Sequence, residues 1–419
     1  MTPSSENGKR EISTEERLLL LILAAIQFTT IVDFLIILPL GPQYMRVFSI
    51  NAAQFGLIVS AYAISAGISG VAAGLFLDRF DRKPAMLFLF SGFTLGTFFC
   101  AIAPTYPLLV AARIFAGAFG GVAGSLILAI IGDVVPEQRR GAAMGMVMSS
   151  FSVASICGVP LGLWLASHFS WHIPFYVLTG FSLTVLVASG VYIPHLREHL
   201  KHGQDLHPIK QVWAVMSEPS HAKAFLFMAS LTGAGFSVFP YIATYMVSNV
   251  GLTERQLPLI YLVGGLCTLV TMNLIGRWAD RAGKPKVFRV MSLTAIVPIV
   301  ALTNLPHVPV ILAIMTSTAF MICMSGRMVP AMALMTATVE ARYRGGFMSI
   351  NSSVQQFSSG LFAYVSGNMI GQTEGGAMTH FGWVGVVSII CVLLCIFLAR
   401  FLKQPEKVKT EEAPVFEAA

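Results

Sequence analysis

Polar positions in this chain are sparse and fall in short clusters. Between the clusters run apolar stretches, most of about 20 residues or more, long enough to cross a ~30 Å hydrocarbon core as helix. Twelve are readable, near 18–40, 54–77, 85–104, 107–131, 142–168, 173–194, 222–249, 257–279, 286–304, 308–335, 346–371 and 381–402. They are too long for strands, and none alternates as a barrel strand does. The pattern predicts an all-α integral membrane protein of twelve transmembrane helices. Gly and Pro sit largely inside the runs, which soluble helices resist and membrane bundles tolerate.

The polar clusters repeat about 200 residues apart. Residues 74–84 read GLFLDRFDRKP and residues 276–285 read GRWADRAGKP, each where an apolar run ends. PEQRRGAAM at 136–144 answers EARYRGGFM at 340–348. Pro39, Tyr44, Met45 and Gln54 answer Pro240, Tyr245, Met246 and Gln256 at nearly the same offset. An offset that drifts so slowly over most of the chain means a duplicated half. Duplicated apolar halves are the plan of many secondary transporters. The expected units are a six-helix bundle over 1–196, a polar connector over 197–220, a second six-helix bundle over 221–403 and a disordered tail over 404–419. Within the connector, His207 to Met216 could lie as a short helix on the membrane surface.

Composition agrees. The chain is 55% hydrophobic and 11% charged, against about 25% charged in a soluble domain. Of its 27 Lys and Arg, all but Arg46, Arg113, Arg255 and Arg327 fall in segments on one side of the predicted membrane. Positive segments stay cytoplasmic, so both termini are expected inside a bacterial-type inner membrane. The +7 net charge is then topology and not a nucleic-acid footprint. All six cysteines lie in predicted spans, as small apolar residues and not a disulfide framework. The polar first 17 residues lack a secretory cleavage pattern, so the first span is expected to be retained. No phosphate-cradling GxxxxGK[ST] loop is present, which argues against ATP-driven transport. His195, His199, His202 and His207 cluster in the connector without the Cys or carboxylates that would complete a metal site, and a solvated loop is expected.

The two Asp-Arg loops are similar to a signature of the major facilitator superfamily, found there between spans 2 and 3 and between spans 8 and 9. The resemblance covers nearly the whole chain. The first copy departs from it, since Asp81 stands where Gly is usual. GVPLG (158–162) in the fifth span resembles the antiporter motif of that family's drug and sugar effluxers. RIFAG (113–117) in the fourth resembles its Arg-containing motif, with Ala116 where Gln is often found. The resemblance implies a twelve-span proton antiporter.

Asp33 is the acidic residue placed well inside a span. An ionised carboxylate in lipid costs a few kcal/mol or more, so a cation should lie near it, and Arg113 is the candidate at matching depth. Such a pair is either a proton site or a structural ion pair. Gly158, Pro160 and Gly162 form a small-residue and kink cluster, either generic packing or a hinge. Only one half has it, because the repeat positions are Phe362, Tyr364 and Ser366. The family resemblance associates that asymmetry with antiport.

Gly74, Asp78, Arg79 and Arg82, with Asp133, and Asp280 with Arg281 in the second copy, are expected to form conformational latches. Asp78 would meet the N-terminus of the eleventh span at Gly345 and Gly346, where an anion is favoured by about 0.3–1 kcal/mol. The alternative is that these charges only hold the loop inside. Asn351, Gln355 and Gln356 in the eleventh span, and Phe236, Phe239, Tyr241 and Tyr245 in the seventh, are expected to line a substrate cavity or to serve packing. Arg327 either holds an anionic group, forms a gate or snorkels to the cytoplasm.

The function expected is export of a small amphipathic or sugar-like compound by proton antiport, with no cofactor but the proton, no enzymatic activity, the bilayer as partner and a monomer as working unit. The alternatives are an importer or uniporter on the same fold and a membrane receptor or scaffold that transports nothing.

Overall fold

The computed structural model describes residues 14–197, 216–339 and 344–402. Eleven helical segments among them are long and apolar enough to cross a membrane. They are Thr14–Val47, Ala52–Gly74, Arg82–Ile102, Tyr106–Val134, Arg139–His168, His172–Tyr192, His221–Val250, Glu254–Ala282, Lys284–Thr303, Val310–Ala337 and Phe381–Leu398. A further helix, Arg344–Met369, has the length but carries the polar stretch around Asn351 and Gln356, which lowers its apolarity. In chain order it is the eleventh of twelve spans. The fold is the expected bundle of apolar helices. One small departure is a hairpin between the last two spans, where Gly371–Gln372 pairs antiparallel with Met378–Thr379. Asn249 fixes it to the seventh span, accepting from the Met378 N–H and donating to its carbonyl, both at 2.9 Å.

The expected His207–Met216 surface helix, the histidines beyond His195 and the tail 404–419 fall outside the described residues, apart from Met216 itself. So does the side chain of Asp78, although its backbone closes the second span in a 3-10 turn, Leu77–Arg79.

Proline sets where the spans bend. It lacks an N–H and clashes with the carbonyl four residues earlier. The first helix accordingly stops at Ile36 and restarts through a 3-10 turn containing Pro39. The seventh stops at Phe236 and restarts through a 3-10 turn containing Pro240. In the fifth, Pro160 follows a π-helical turn over Ala154–Gly158. In the tenth, Pro330 leaves the Gly326 carbonyl without its helical donor, and the helix breaks at Arg327. Bends and bulges of this kind recur at functional sites.

The two halves meet along the second and eleventh spans, which run antiparallel and touch through small residues. A Cβ on Gly70 would lie 3.0 Å from the Ser353 hydroxyl, and one on Gly360 would lie 3.2 Å from the Ser60 carbonyl. The Ser60 hydroxyl donates to the Gly360 carbonyl at 2.7 Å, a direct bond between halves. On the face opposite the basic loops, the first span also meets the seventh and the start of the eighth. Phe34 stacks on Phe236 with centroids 5.8 Å apart. Arg46 grips Glu254 through both guanidinium nitrogens. The fifth and eighth spans touch where Gly265 faces the Ser155 carbonyl.

Candidate functional site

Three helices of the first half converge on Asp33. Arg113 of the fourth span donates from Nη1 to Asp33 Oδ2 at 2.6 Å, and Thr97 of the third donates to Oδ1 at 3.1 Å. Neither charged side chain has any exposed surface. Tyr62 of the second span lies under the guanidinium, 4.3 Å from ring centroid to Cζ. The ring has room because glycines of the fourth span face it. A Cβ on Gly120 would stand 2.5 Å from the Tyr62 hydroxyl. Among the described residues Arg113 Nε and Nη2 meet no nitrogen or oxygen partner, so the guanidinium retains hydrogen-bonding capacity toward a water or a substrate. The pairing proposed from equal depth is thus present. Thr97 and Tyr62 were not foreseen, since hydroxyls and aromatics are common in such spans and their spacing singles out neither.

The fifth-span hinge packs on the same stretch of the first span. A Cβ on Gly158 would collide with Val32, and one on Gly162 would lie 2.5 Å from Ile36 Cδ1. Val32 directly precedes Asp33, and Ile36 is one turn later. Glycine allows this approach without displacing either side chain, so the fifth-span glycines and the carboxylate-bearing stretch share one interface.

A small polar cleft, with room for about one water, lies between the halves, toward the basic face from Asp33. Ala66 and Gly70 of the second span, Gly121 and Ser125 of the fourth, and Ser349, Ser352, Ser353 and Gln356 of the eleventh line it. Gln356 and its serine neighbours belong to the predicted polar stretch. Asn351 is buried with its Oδ1 unpartnered. Gln27 was missed; its Oε1 is buried without a partner and faces Gly124. A glutamine one helix face away from a carboxylate is a signal the sequence did offer.

Several residues expected at the cavity are elsewhere. Tyr245 packs on Phe381 at 4.7 Å and donates to the Leu305 carbonyl at 3.0 Å, inside the second half. Tyr241 is buried where its hydroxyl donates to the Ala363 carbonyl at 2.5 Å, wedged over Gly56 and Gly367 on the face opposite the basic loops. Phe239 packs edge-on against Tyr261, and Gln355 is half-buried. Phe236 and Tyr241 reach across to the other half, Phe236 to Phe34 and Tyr241 to Phe55. Arg327 does not snorkel. It is 1% exposed and donates from Nη2 to the Leu231 carbonyl at 2.8 Å, with Nε and Nη1 unpartnered. The break above Pro330 turns it inward, which a regular helix would not show.

On the basic face, Arg82 Nε meets Asp133 Oδ2 at 3.0 Å, the expected partner. Gly74 faces the Ser349 hydroxyl of the eleventh span. Arg79, Asp280 and Arg281 are exposed and pair with no described residue. Asp81, the departure from the family pattern, accepts four hydrogen bonds. Burial pushes its carboxyl up, but donors from Arg197, His195 and the Lys83 and Leu196 backbone outweigh that and hold it well below the usual carboxylate range.

The fold and these spans define a membrane transporter class. A family model described as Major Facilitator Superfamily matches residues 23–363 and 225–418, and the chain belongs to that family. It is 26% identical over 386 residues to the inner membrane transport protein YdhP of Escherichia coli (strain K12), covering 88% of this chain and 93% of that one. It is 24% identical to the MFS-type transporter YceJ of Bacillus subtilis (strain 168), covering 93% and 97%. Among solved structures, a bacterial homologue of the human lysosomal transporter Spinster, inward-facing and unoccupied, aligns with TM-score 0.73 at 16% identity, covering 93% and 98%. A D-xylose–proton symporter aligns with TM-score 0.73 at 15% identity over the same shares. These two show the fold.

Proposed function

We propose that this transporter exports a small hydrogen-bonding compound, sugar-like or amphipathic, in exchange for inward proton flow. The basic face is then cytoplasmic, as the positive charge distribution supports. The carrying observation is the fully buried Asp33–Arg113 pair set against a glycine hinge. A carboxylate whose charge is balanced by a single guanidinium can take and release a proton as the pair loosens. The glycine-lined contact with the fifth span lets helix movement reach it. A lone carboxylate beside an arginine is a poor sodium cage.

The cavity supports the substrate class. Its described lining offers hydroxyls and an amide, and no charged side chain. The space is about one water in size in this structure, so the halves would part there to admit a substrate, whose hydroxyls this donor and acceptor set would then hold. In this structure the face carrying Arg46 and Glu254 is closed by the contacts of the first and seventh spans, as alternating access requires of one face at a time. The second-span loop and the start of the eleventh span act as the cytoplasmic latch in this reading.

The test is transport of a compound panel into inverted vesicles under an imposed pH gradient. Uptake driven by an acidic interior, and abolished by a protonophore, is expected. Equilibration of every active compound across the membrane, with no accumulation in response to the gradient, would replace antiport by uniport.

A further inference from the structure

The sixth helix ends at Tyr192, and the chain then continues as coil through Arg197. A coil leaving a helix end would ordinarily give the connector its freedom at once. Here Ile193 is buried in the core at the basic face of the first half, and Leu196 packs against that core. Between them and the second-span loop sits Asp81, with its side chain 8% exposed. Its Oδ2 accepts from Arg197 Nε and His195 Nδ1, each at 2.8 Å. Its Oδ1 accepts from the Leu196 N–H at 3.2 Å and the Lys83 N–H at 3.1 Å. The Arg82 N–H returns a bond to the Leu196 carbonyl at 3.4 Å.

We propose that Asp81 docks the chain after the sixth span onto the first half, so that residues 193–197 move with that half and the end of the sixth span is not where the hinge between the halves begins.

Three of the four donors on Asp81 come from three consecutive connector residues, which no chance surface pair supplies. The His195 and Arg197 side chains are 62% and 67% exposed, so they approach from the solvent side and cover the carboxylate. One exposed donor contributes little; three on one short coil segment, all bonded to the same buried carboxylate, act together. Glycine, which the family resemblance puts at this position, offers no acceptor, so the docking belongs to this chain's own departure. The neighbouring Arg82 is committed to Asp133 at 3.0 Å. The connector is therefore joined, through two adjacent residues, to the loop that reads the end of the fourth span. Only the hinge consequence rests on the rocking of halves assumed above; the docking stands on these contacts.

Trypsin reports it. Cleavage after Arg197 is measured by mass spectrometry in the purified full chain, relative to cleavage after the exposed Arg400 at the other end of the molecule. Asp81→Gly should raise the Arg197 rate at least fivefold relative to Arg400. Asp81→Asn should fall between, because the amide oxygen still accepts from Leu196 while the charge for Arg197 is gone. Equal relative rates in wild type and Asp81→Gly overturn the docking. Should the glycine variant not reach the membrane, an unchanged rate in Asp81→Asn overturns it equally. Faster cleavage with unchanged transport turnover keeps the docking and overturns its place in the hinge. A wild type without gradient-driven transport overturns the antiport reading and leaves the cleavage result untouched.

Discussion

Gly162 of the fifth span faces Ile36 of the first so closely that a single added methyl would stand 2.5 Å from the Ile36 Cδ1 atom. Gly158 faces Val32 in the same way, one turn earlier. The two contacts bracket Asp33. A branched side chain at either glycine must displace Val32 or Ile36, and where those side chains cannot turn aside it pushes the first span and with it the carboxylate. Gly158→Val and Gly162→Val should therefore insert normally and lose at least tenfold in gradient-driven transport. Gly145→Ala, on the same span with nothing within 4 Å of the added carbon, should transport as the wild type does. Full activity in both valine variants would detach the hinge from the proton site.

The ion pair itself separates stability from coupling. Removing Arg113 alone strands a buried carboxylate, which costs about 3–5 kcal/mol when one partner of a buried pair is lost. Arg113→Ala should show the larger fall in thermal midpoint in detergent. Asp33→Asn/Arg113→Gln should recover much of that loss, because no unpaired charge remains. Neither variant should accumulate substrate against a gradient. Proton-coupled accumulation by Asp33→Asn would remove Asp33 from the coupling role.

The sequence made this pair legible because lipid penalises a lone carboxylate and so demands a cation at like depth. It made the bundle legible for the same reason, since length and apolarity alone specify a span. What it hid depends on rotation about helix axes. Nothing in the spacing of Thr97 or Tyr62 says that they face Asp33 and Arg113. Tyr245 repeats Tyr44, and both turn into the core of their own half, so the aromatic run of the seventh span overstated the cavity. The break before Pro330 turns Arg327 from the surface to the interior, and a straight-helix count cannot register it.

Arg327 gives a second stability test. Two of its nitrogens are buried without partners, and no described carboxylate pairs with it. Replacing a buried charge that has no charged partner by an apolar side chain of similar volume removes the cost of keeping that charge out of water. Arg327→Met should melt no lower than the wild type. A fall of several degrees would mean that the bond to the Leu231 carbonyl, and the waters or ions around it, outweigh the cost of burying the cation.

The depressed Asp81 carboxyl fixes a pH window. A group whose folded pKa lies below its unfolded value contributes stability above the unfolded value and loses it as pH falls through the folded one. The unfolded reference is about 3.9 for Asp. Protection of Arg197 from proteolysis should hold from neutral pH down to about 4 and decline only in stronger acid. An acid-tolerant protease of suitable specificity, or hydrogen exchange at the Leu196 amide, follows it. Loss of protection already at mildly acidic pH, well above the Asp81 window, would show that the Asp81 carboxylate is not what holds this segment.

Arg46 and Glu254 close the opposite face, and their worth can be bounded before it is measured. The Arg46 side chain is 66% exposed and that of Glu254 18%, so the pair lies at the surface end of the scale. Exposed pairs contribute about 0.2–1 kcal/mol. That moves an evenly balanced two-state equilibrium by at most about fivefold. Neither residue has a charged counterpart in the repeat, where Val247 and Ala52 stand, so the grip arose after duplication and acts on one face only. A vestibule of about 470 Å³, lined by Pro42, Asn51, Gln54, Thr244 and Gln372 among others, lies beside the pair. Glu254→Gln should spend more time open there. A cysteine at Thr244, beneath the pair, should then react with an impermeant maleimide up to about fivefold faster, and the effect should shrink at high salt in the wild type. Unchanged labelling in Glu254→Gln would leave the aromatic contact of Phe34 with Phe236 as the element that keeps this face shut.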